Sequence, residues 1–189
     1  ATFALPAFAA ETTKSDAEIC ELIGVLRGDT SQGVTDEYLA KGTSRMQAAL
    51  LYLRLIGKED EALAYESEDN FDDADQTWPA AVPVLAYLKA NPDLGWAGIG
   101  GNKFNPKGAA SAQMIYKVCL EALGYKQDVD FKWDEVFSFA KEKGLSKIAD
   151  VTELTNNDMA IALVEALQAK VKDSETTLIQ KLVADGVVT

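Results

Sequence analysis

Apolar residues recur along most of the chain at intervals of three and four, the spacing that places side chains on one face of an α-helix. The first such stretch follows Ser15 and Glu18, which form an S-x-x-E capping box ahead of Ile19. Because no region alternates apolar and polar residues over the length of a strand, the pattern predicts an all-α fold. Six further helices are predicted to begin at or near Ser44, Thr77, Ser111, Val136, Thr155 and Ser174.

The longer helices repeat one pattern, in which residues 44–57, 111–124 and 155–168 can be overlaid. A Leu-Glu-Ala-Leu run at 120–123 returns as Val-Glu-Ala-Leu at 164–167. Each longer helix follows a shorter helix and a loop rich in glycine, asparagine and aspartate. Such helix–loop–helix units cannot bury their own apolar stripes, so we expect them to pack around a shared core. The units span residues 15–66, 70–126 and 130–189, after an apolar segment at 1–10.

Composition excludes several classes of function. A net charge of −12 and a pI of about 4.4 give a surface that repels nucleic-acid phosphates. Histidine is absent from the sequence, which removes Ser-His-Asp and Cys-His catalysis and histidine-based zinc sites. No convergent acid–base set takes their place. We therefore expect a protein that is not an enzyme and that uses no cofactor or metal.

The two cysteines, Cys20 and Cys119, both fall on the apolar stripes of predicted helices and form no CxxC pair. A free thiol packs well as a small apolar side chain, and this interpretation is favoured. A disulfide between the two cysteines is the alternative.

The first ten residues are apolar and end in small side chains, like the end of a signal peptide with Ala7-Phe8-Ala9 as the cleavage element. No stretch is long enough to span a membrane. We therefore expect export to the surface or wall of a bacterial cell. The segment is either a signal remnant or a retained plug, in which case Phe3, Leu5 and Phe8 contact another subunit.

Motif-like residues recur in all three units. The middle unit has Phe71-Asp72-Asp73, Trp78, Gly95, Gly98, Phe104 and Pro106 ahead of the helix that ends at Leu123-Gly124. The third has Trp133, Gly144-Leu145, Asp150-Val151 and Thr155, and the first has Gly24-Val25 and Ser44-Arg45-Met46-Gln47. Over residues 16–188 this pattern resembles the S-layer homology family.

That resemblance implies a pseudo-trimer of repeats around a central helical core. It also implies that the motif arginine binds an anionic secondary cell-wall polysaccharide, for which a guanidinium fork is well suited. The wall-binding residues would then be Ser44, Arg45, Gln47 and Trp78.

Two functions follow from the resemblance. The preferred one is a structural cell-surface protein that self-assembles with other copies of itself into a layer or filament. The alternative is an anchor module that ties a larger surface protein to the wall polymer. The subunit is preferred because the motif arginine occurs once, with Ala112 and Asn156 at the equivalent positions of the other repeats.

Each of three other features has a structural interpretation and a functional one. Trp78, Trp96 and Trp133 are interpreted as core or loop anchors, with stacking on sugars as the alternative. The acidic run at 66–75 lacks the spacing of a calcium loop and is interpreted as a solvated loop. The glycines at 98–101 follow no strand and are interpreted as a turn rather than a phosphate loop.

Overall fold

The computed structural model describes residues 13–188, so the subunit contact predicted for Phe3, Leu5 and Phe8 lies outside the described residues. Within 13–188 the chain contains α-helices, short 3₁₀ turns and isolated bridges but no β-strand, which confirms the all-α prediction. The helices are α1 (Asp16–Leu22), α2 (Asp36–Ala40), α3 (Arg45–Leu55), α4 (Glu59–Leu63), α5 (Val82–Ala90), α6 (Ala112–Ala122), α7 (Val136–Glu142), α8 (Asn156–Gln168) and α9 (Leu178–Ala184).

Hydrogen-bonded caps start most of these helices. Ser15, Ser44 and Thr155 each cap their helix in a reciprocal box, as predicted, because the side chain three residues later returns a bond to the cap amide. The last helix begins later than predicted, since its cap is Thr177 and not Ser174. The sequence pattern did not predict α2 and α4, which have five residues each and show too little periodicity.

The core is organised by α6 and α8, whose inward faces are almost completely buried. Helix α6 packs against α3, α7 and α8, while α8 packs against α1, α2, α6 and α9. Helix α1 therefore packs on α8 of the third predicted unit, which makes the units interdependent. The pseudo-threefold arrangement itself stays a prediction. None of the described helices is long and apolar enough to cross a membrane.

The segments that lead into α3, α6 and α8 are joined by backbone hydrogen bonds. The Thr43 amide donates to the Leu154 carbonyl, and the Ala110 amide donates to the Thr43 carbonyl. At the centre, the buried Thr43 hydroxyl donates to Asn156 Oδ1 at 3.0 Å, and Asn156 Nδ2 donates to the Tyr38 carbonyl at 2.9 Å. These bonds fix the positions of the N-terminal ends of α3 and α8, where the sites described below are built.

Both cysteines are free thiols with no exposed surface, which confirms the favoured interpretation. Cys20 Sγ contacts the Ala160 carbonyl at 3.7 Å, and Cys119 Sγ contacts the Ala162 carbonyl at 3.9 Å. Burial raises the pKa of Cys20 to about 12 and raises the pKa of Cys119 as well. The reactive thiolate is therefore suppressed at both positions.

Thiol labelling should report this burial. We expect neither Cys20 nor Cys119 to react with Ellman's reagent in the native protein at neutral pH, and both to react once urea unfolds it. Ser67→Cys places a thiol in an exposed loop and should react at once, which controls for the reagent. Rapid reaction of one thiol per chain in the unaltered native protein would contradict the buried positions.

Candidate functional site

An open groove of about 760 Å³ lies beside α2 and α3 and is here called the Trp78 groove. Its volume lies in the usual range of ligand pockets, about 300–1,000 Å³. The floor is apolar and the walls carry two aromatic residues, the buried Tyr38 and the 48% exposed Trp78. The residues that form the floor are Val25, Leu26, Leu50, Leu51 and Met159.

One rim of the groove is the loop that follows α1, and a network of charged side chains holds it in place. Arg54 Nη1 donates to the Val25 carbonyl at 2.7 Å, and Arg54 Nε donates to Glu59 Oε2 at 2.7 Å. Arg27 Nη1 donates to the other oxygen of Glu59 at 2.5 Å. Because Glu59 is buried and bound by both arginines, the network fixes the loop to α3 and α4.

The groove also presents polar groups that have no described partner. Within residues 13–188, the amides of Arg27, Gly28 and Asp29 donate no hydrogen bond, and the Tyr38 hydroxyl makes none. Burial is the main cause that raises the pKa of Tyr38, so this hydroxyl keeps its proton as a donor at neutral pH. Free amides on a rim beside an apolar floor can donate to carbonyls of a bound peptide while its side chains contact the floor.

A second concave region runs along α6 and is here called the Lys117 cleft. It consists of a pocket of about 430 Å³ and a pocket of about 210 Å³, which share Gly95, Lys117 and Gln127 as lining residues. The Lys117 ammonium donates to Glu121 and lies 5.7 Å from the centroid of the Trp96 ring. This ammonium therefore lies where the two pockets meet.

The smaller pocket contains an arginine without an acidic partner. Arg45 Nε donates to the Phe104 carbonyl at 3.0 Å, but among the described residues its two Nη atoms take part in no hydrogen bond or salt bridge. Its guanidinium lies 5.1 Å from the Phe104 ring and 5.9 Å from the Trp96 ring. Burial lowers the pKa of Arg45 although Asp73 acts in the opposite direction. A partly desolvated guanidinium of this kind is a binding group for an anion.

The larger pocket contains an acid with one unused oxygen. The Glu121 side chain is 8% exposed, and its Oε1 binds Lys117 at 2.7 Å. Its Oε2 is buried and has no described donor. Burial raises the pKa of Glu121, and the nearby Lys117 lowers it only in part.

The structure does not bring the four predicted wall-binding residues together. Ser44, Gln47 and Trp78 line the Trp78 groove, whereas Arg45 lines the Lys117 cleft. Ser44 and Gln47 also satisfy each other, since the Ser44 amide donates to Gln47 Oε1 at 2.8 Å and the Gln47 amide donates to Ser44 Oγ at 3.1 Å. Ser44 is the cap that precedes α3 and Arg45 is the first residue of the helix, so the two neighbours point in different directions and line different pockets.

The three tryptophans were interpreted as core or loop anchors, with stacking on sugars as the alternative, and they differ in burial. Trp96 is 4% exposed and anchors the core, as favoured, while Trp78 and Trp133 are 48% and 41% exposed and line different pockets. The acidic run is not a fully solvated loop, because Phe71 and Asp73 are buried. Residues 98–103 form a tight turn as predicted, closed by the Ile99 amide on the Lys103 carbonyl at 2.8 Å.

Asp73 has a structural role that the sequence pattern did not reveal. Its two carboxylate oxygens accept the amides of Phe104 and Asn105 at 2.9 and 2.8 Å. These bonds lower the pKa of Asp73 against the opposing effect of burial. Asp73 thereby holds the segment whose Phe104 carbonyl orients Arg45.

Comparison with known families gives one match. Residues 104–187 match the family described as X-Prolyl dipeptidyl aminopeptidase PepX, N-terminal. The matched residues contain α6 to α9 and amount to a little under half of the chain. No curated protein matches the chain in sequence.

This match corrects the interpretation drawn from the sequence. The matched family is not the S-layer homology family, so that resemblance was wrong, as were the surface-layer or filament function and the wall-anchor alternative. Many of the residues that suggested the resemblance are helix caps, helix-ending glycines or buried aromatics such as Phe71 and Phe104. Any set of packed helix pairs needs such residues, because caps and apolar stripes follow from helix geometry alone.

Proposed function

We propose that this chain is a non-catalytic helical module of a peptidase-associated kind, which binds extended peptide segments in the Trp78 groove. The observation that carries the proposal is the combination of an apolar floor with the unpaired amides of Arg27, Gly28 and Asp29 on one rim. A peptide backbone offers carbonyl acceptors to such amides, and an extended peptide directs alternate side chains to one face.

Two further observations support a peptide as the ligand. The family matched by residues 104–187 is named for an X-prolyl dipeptidyl aminopeptidase, which supports a peptide as the ligand, and Met159 is the groove residue that lies in the matched segment. In addition, Trp78 and Tyr38 form aromatic walls, and aromatic-lined grooves suit proline-containing segments in extended conformation. The missing histidine supports a role in binding rather than in hydrolysis.

The Trp78 groove should bind peptides whose ends are capped, because its proposed contacts are to the backbone and side chains of the peptide. The test incubates the immobilised chain with a library of N-acetylated, C-amidated hexapeptides, identifies the retained peptides by mass spectrometry and measures their affinity by calorimetry. We expect Trp78→Ala to weaken binding by about tenfold or more, since an exposed aromatic wall of this kind is a typical hot spot.

Trp133→Ala is the matched control, because Trp133 is similarly exposed but lines the Lys117 cleft. This variant should bind the capped peptides as the unaltered chain does. Equal losses in both variants, or no retained peptide at millimolar concentration, would contradict the groove as the site. Recovery of cleaved peptides would contradict the non-catalytic part of the proposal.

A further inference from the structure

The Lys117 cleft carries unsatisfied groups of opposite polarity at its two ends. In the smaller pocket the free groups are donors, namely the Nη atoms of Arg45 and the indole N–H of Trp96. In the larger pocket the free buried group is an acceptor, Glu121 Oε2. Trp96 Nε1 and Glu121 Oε2 are buried atoms without a described partner, and they belong to residues that line adjoining pockets. Such atoms are rare in folded proteins.

The donor end suits a carboxylate. A guanidinium with both Nη atoms free can bind the two oxygens of a carboxylate in parallel, which is the strongest common arrangement for such a pair. The chain carries a net charge of −12, yet none of its described acids pairs with Arg45. An external carboxylate would supply the missing partner. Trp133, which is 41% exposed, gives this pocket an aromatic wall for the atoms next to that carboxylate.

The acceptor end suits an ammonium. Glu121 Oε2 needs a donor, and Asp93 and Asp128 line the same pocket. Neither aspartate forms a described salt bridge, so the pocket carries more acid than Lys117 and Lys126 neutralise. Gly95 keeps the approach open, since a Cβ at that position would lie 3.5 Å from both Glu121 oxygens and 3.2 Å from Lys117 Nζ.

We propose that the Lys117 cleft binds a short zwitterionic peptide, with its C-terminal carboxylate on Arg45 and its N-terminal ammonium on Glu121. Lys117 lines both pockets, and the proposed ligand that passes it is a dipeptide, since two extended residues span about 7 Å. The peptide nature of this ligand rests on the proposed function, whereas the requirement for two charged ends rests on the cleft alone. The cleft is a separate site from the Trp78 groove.

The test begins with the unaltered chain and three probes measured by calorimetry: Ala-Pro, N-acetyl-Ala-Pro and Ala-Pro-amide. We expect Ala-Pro to bind and each capped form to bind about tenfold more weakly or worse, because each cap removes one charge-assisted contact. Equal affinity for all three probes, or no binding of Ala-Pro at millimolar concentration, would overturn the proposal.

Two variants test which residue binds which end of the peptide. Arg45→Met should abolish the preference for the free carboxylate over the amide but keep the preference for the free amine. Glu121→Gln should do the reverse, and Ser67→Cys, which lies in an exposed loop outside these pockets, should leave all three affinities unchanged. A variant that keeps the preference it is meant to lose would contradict the assignment. Helical content measured by circular dichroism shows whether each variant is folded, and the comparison of probes on the unaltered chain needs no variant.

Acidity provides a separate readout. Because the pKa of Glu121 is raised above its ordinary value of 4.5, acidification should protonate the carboxylate and weaken Ala-Pro binding at a pH above 4.5. N-acetyl-Ala-Pro lacks the ammonium and should not lose affinity over that range.

The two proposals can fail separately. If capped hexapeptides fail to bind while Ala-Pro binds as described, the proposed function of the Trp78 groove is wrong and the proposal for the Lys117 cleft is supported. The opposite result contradicts the cleft alone.

Discussion

Replacing Glu165 by alanine is expected to lower the free energy of unfolding by about 3–5 kcal/mol. Glu165 lies on α8, is 7% exposed and accepts the Tyr116 hydroxyl at 2.7 Å. It also accepts the amide of Ser146 at 2.7 Å and that of Lys147 at 3.2 Å. No described lysine or arginine pairs with this carboxylate, so the fixed donors alone compensate its burial. Removing it leaves those donors without an acceptor in a place where water has little access.

Urea unfolding monitored by circular dichroism provides the measurement. Glu142→Ala removes an exposed glutamate from α7 and should change stability by no more than about 0.5 kcal/mol. Glu165→Gln keeps one acceptor but turns an amide group toward a backbone N–H, so its loss should fall between the two. If Glu165→Ala and Glu142→Ala have equal effects, Glu165 does not hold the 146–148 turn to α6 and α8.

The second large effect is expected at Gly28, in the rim of the Trp78 groove. Gly28 has a φ of +74°, and a Cβ there would lie 2.0 Å from the Gly33 carbonyl oxygen. Gly28→Ala must therefore displace the backbone of the rim, and we expect a loss of about 3–5 kcal/mol in the free energy of unfolding. Capped hexapeptides should no longer bind, since the free amides move with the rim.

Gly24→Ala separates backbone strain from this clash. Gly24 has a φ of +84°, but a Cβ there would have no atom within 4 Å. The substitution should cost only the left-handed conformation, about 1–2 kcal/mol, and should leave peptide binding intact. If Gly28→Ala and Gly24→Ala lower the free energy of unfolding in urea by equal amounts, the close approach of Gly28 to Gly33 does not determine the loss.

The resemblance to S-layer homology repeats shows that a recurring pattern of helix starts is not sufficient to identify a family. The caps at Ser44, Ser111 and Thr155 are real, and each begins one of the three longest helices. Their recurrence shows that the chain repeats a way of starting helices, which many all-α proteins share. It does not identify a family, and the match of residues 104–187 points to a different one.

The candidate sites were only partly visible in the sequence. Ser44, Gln47 and Trp78 do line one cavity, but Arg45 belongs to another because it lies on a different face of α3. The sequence does not mark Glu121 as buried, since a glutamate in a helix normally faces solvent. Its i, i+4 spacing from Lys117 was the available signal, and it predicts a pair without showing that the pair is buried.

The sequence by itself determined the fold class, the starts of the longest helices and the absence of histidine chemistry. These features depend on contacts between residues at most four apart, or on composition, so the pattern of one segment is sufficient. Tertiary structure alone decided that α1 packs on α8, that Asp73 orders the segment at Phe104, and that Arg45 and Glu121 face a common cleft. Each of these depends on groups brought together by packing of distant segments, and a buried charge acquires its chemistry only when that packing removes water and fixes its partners.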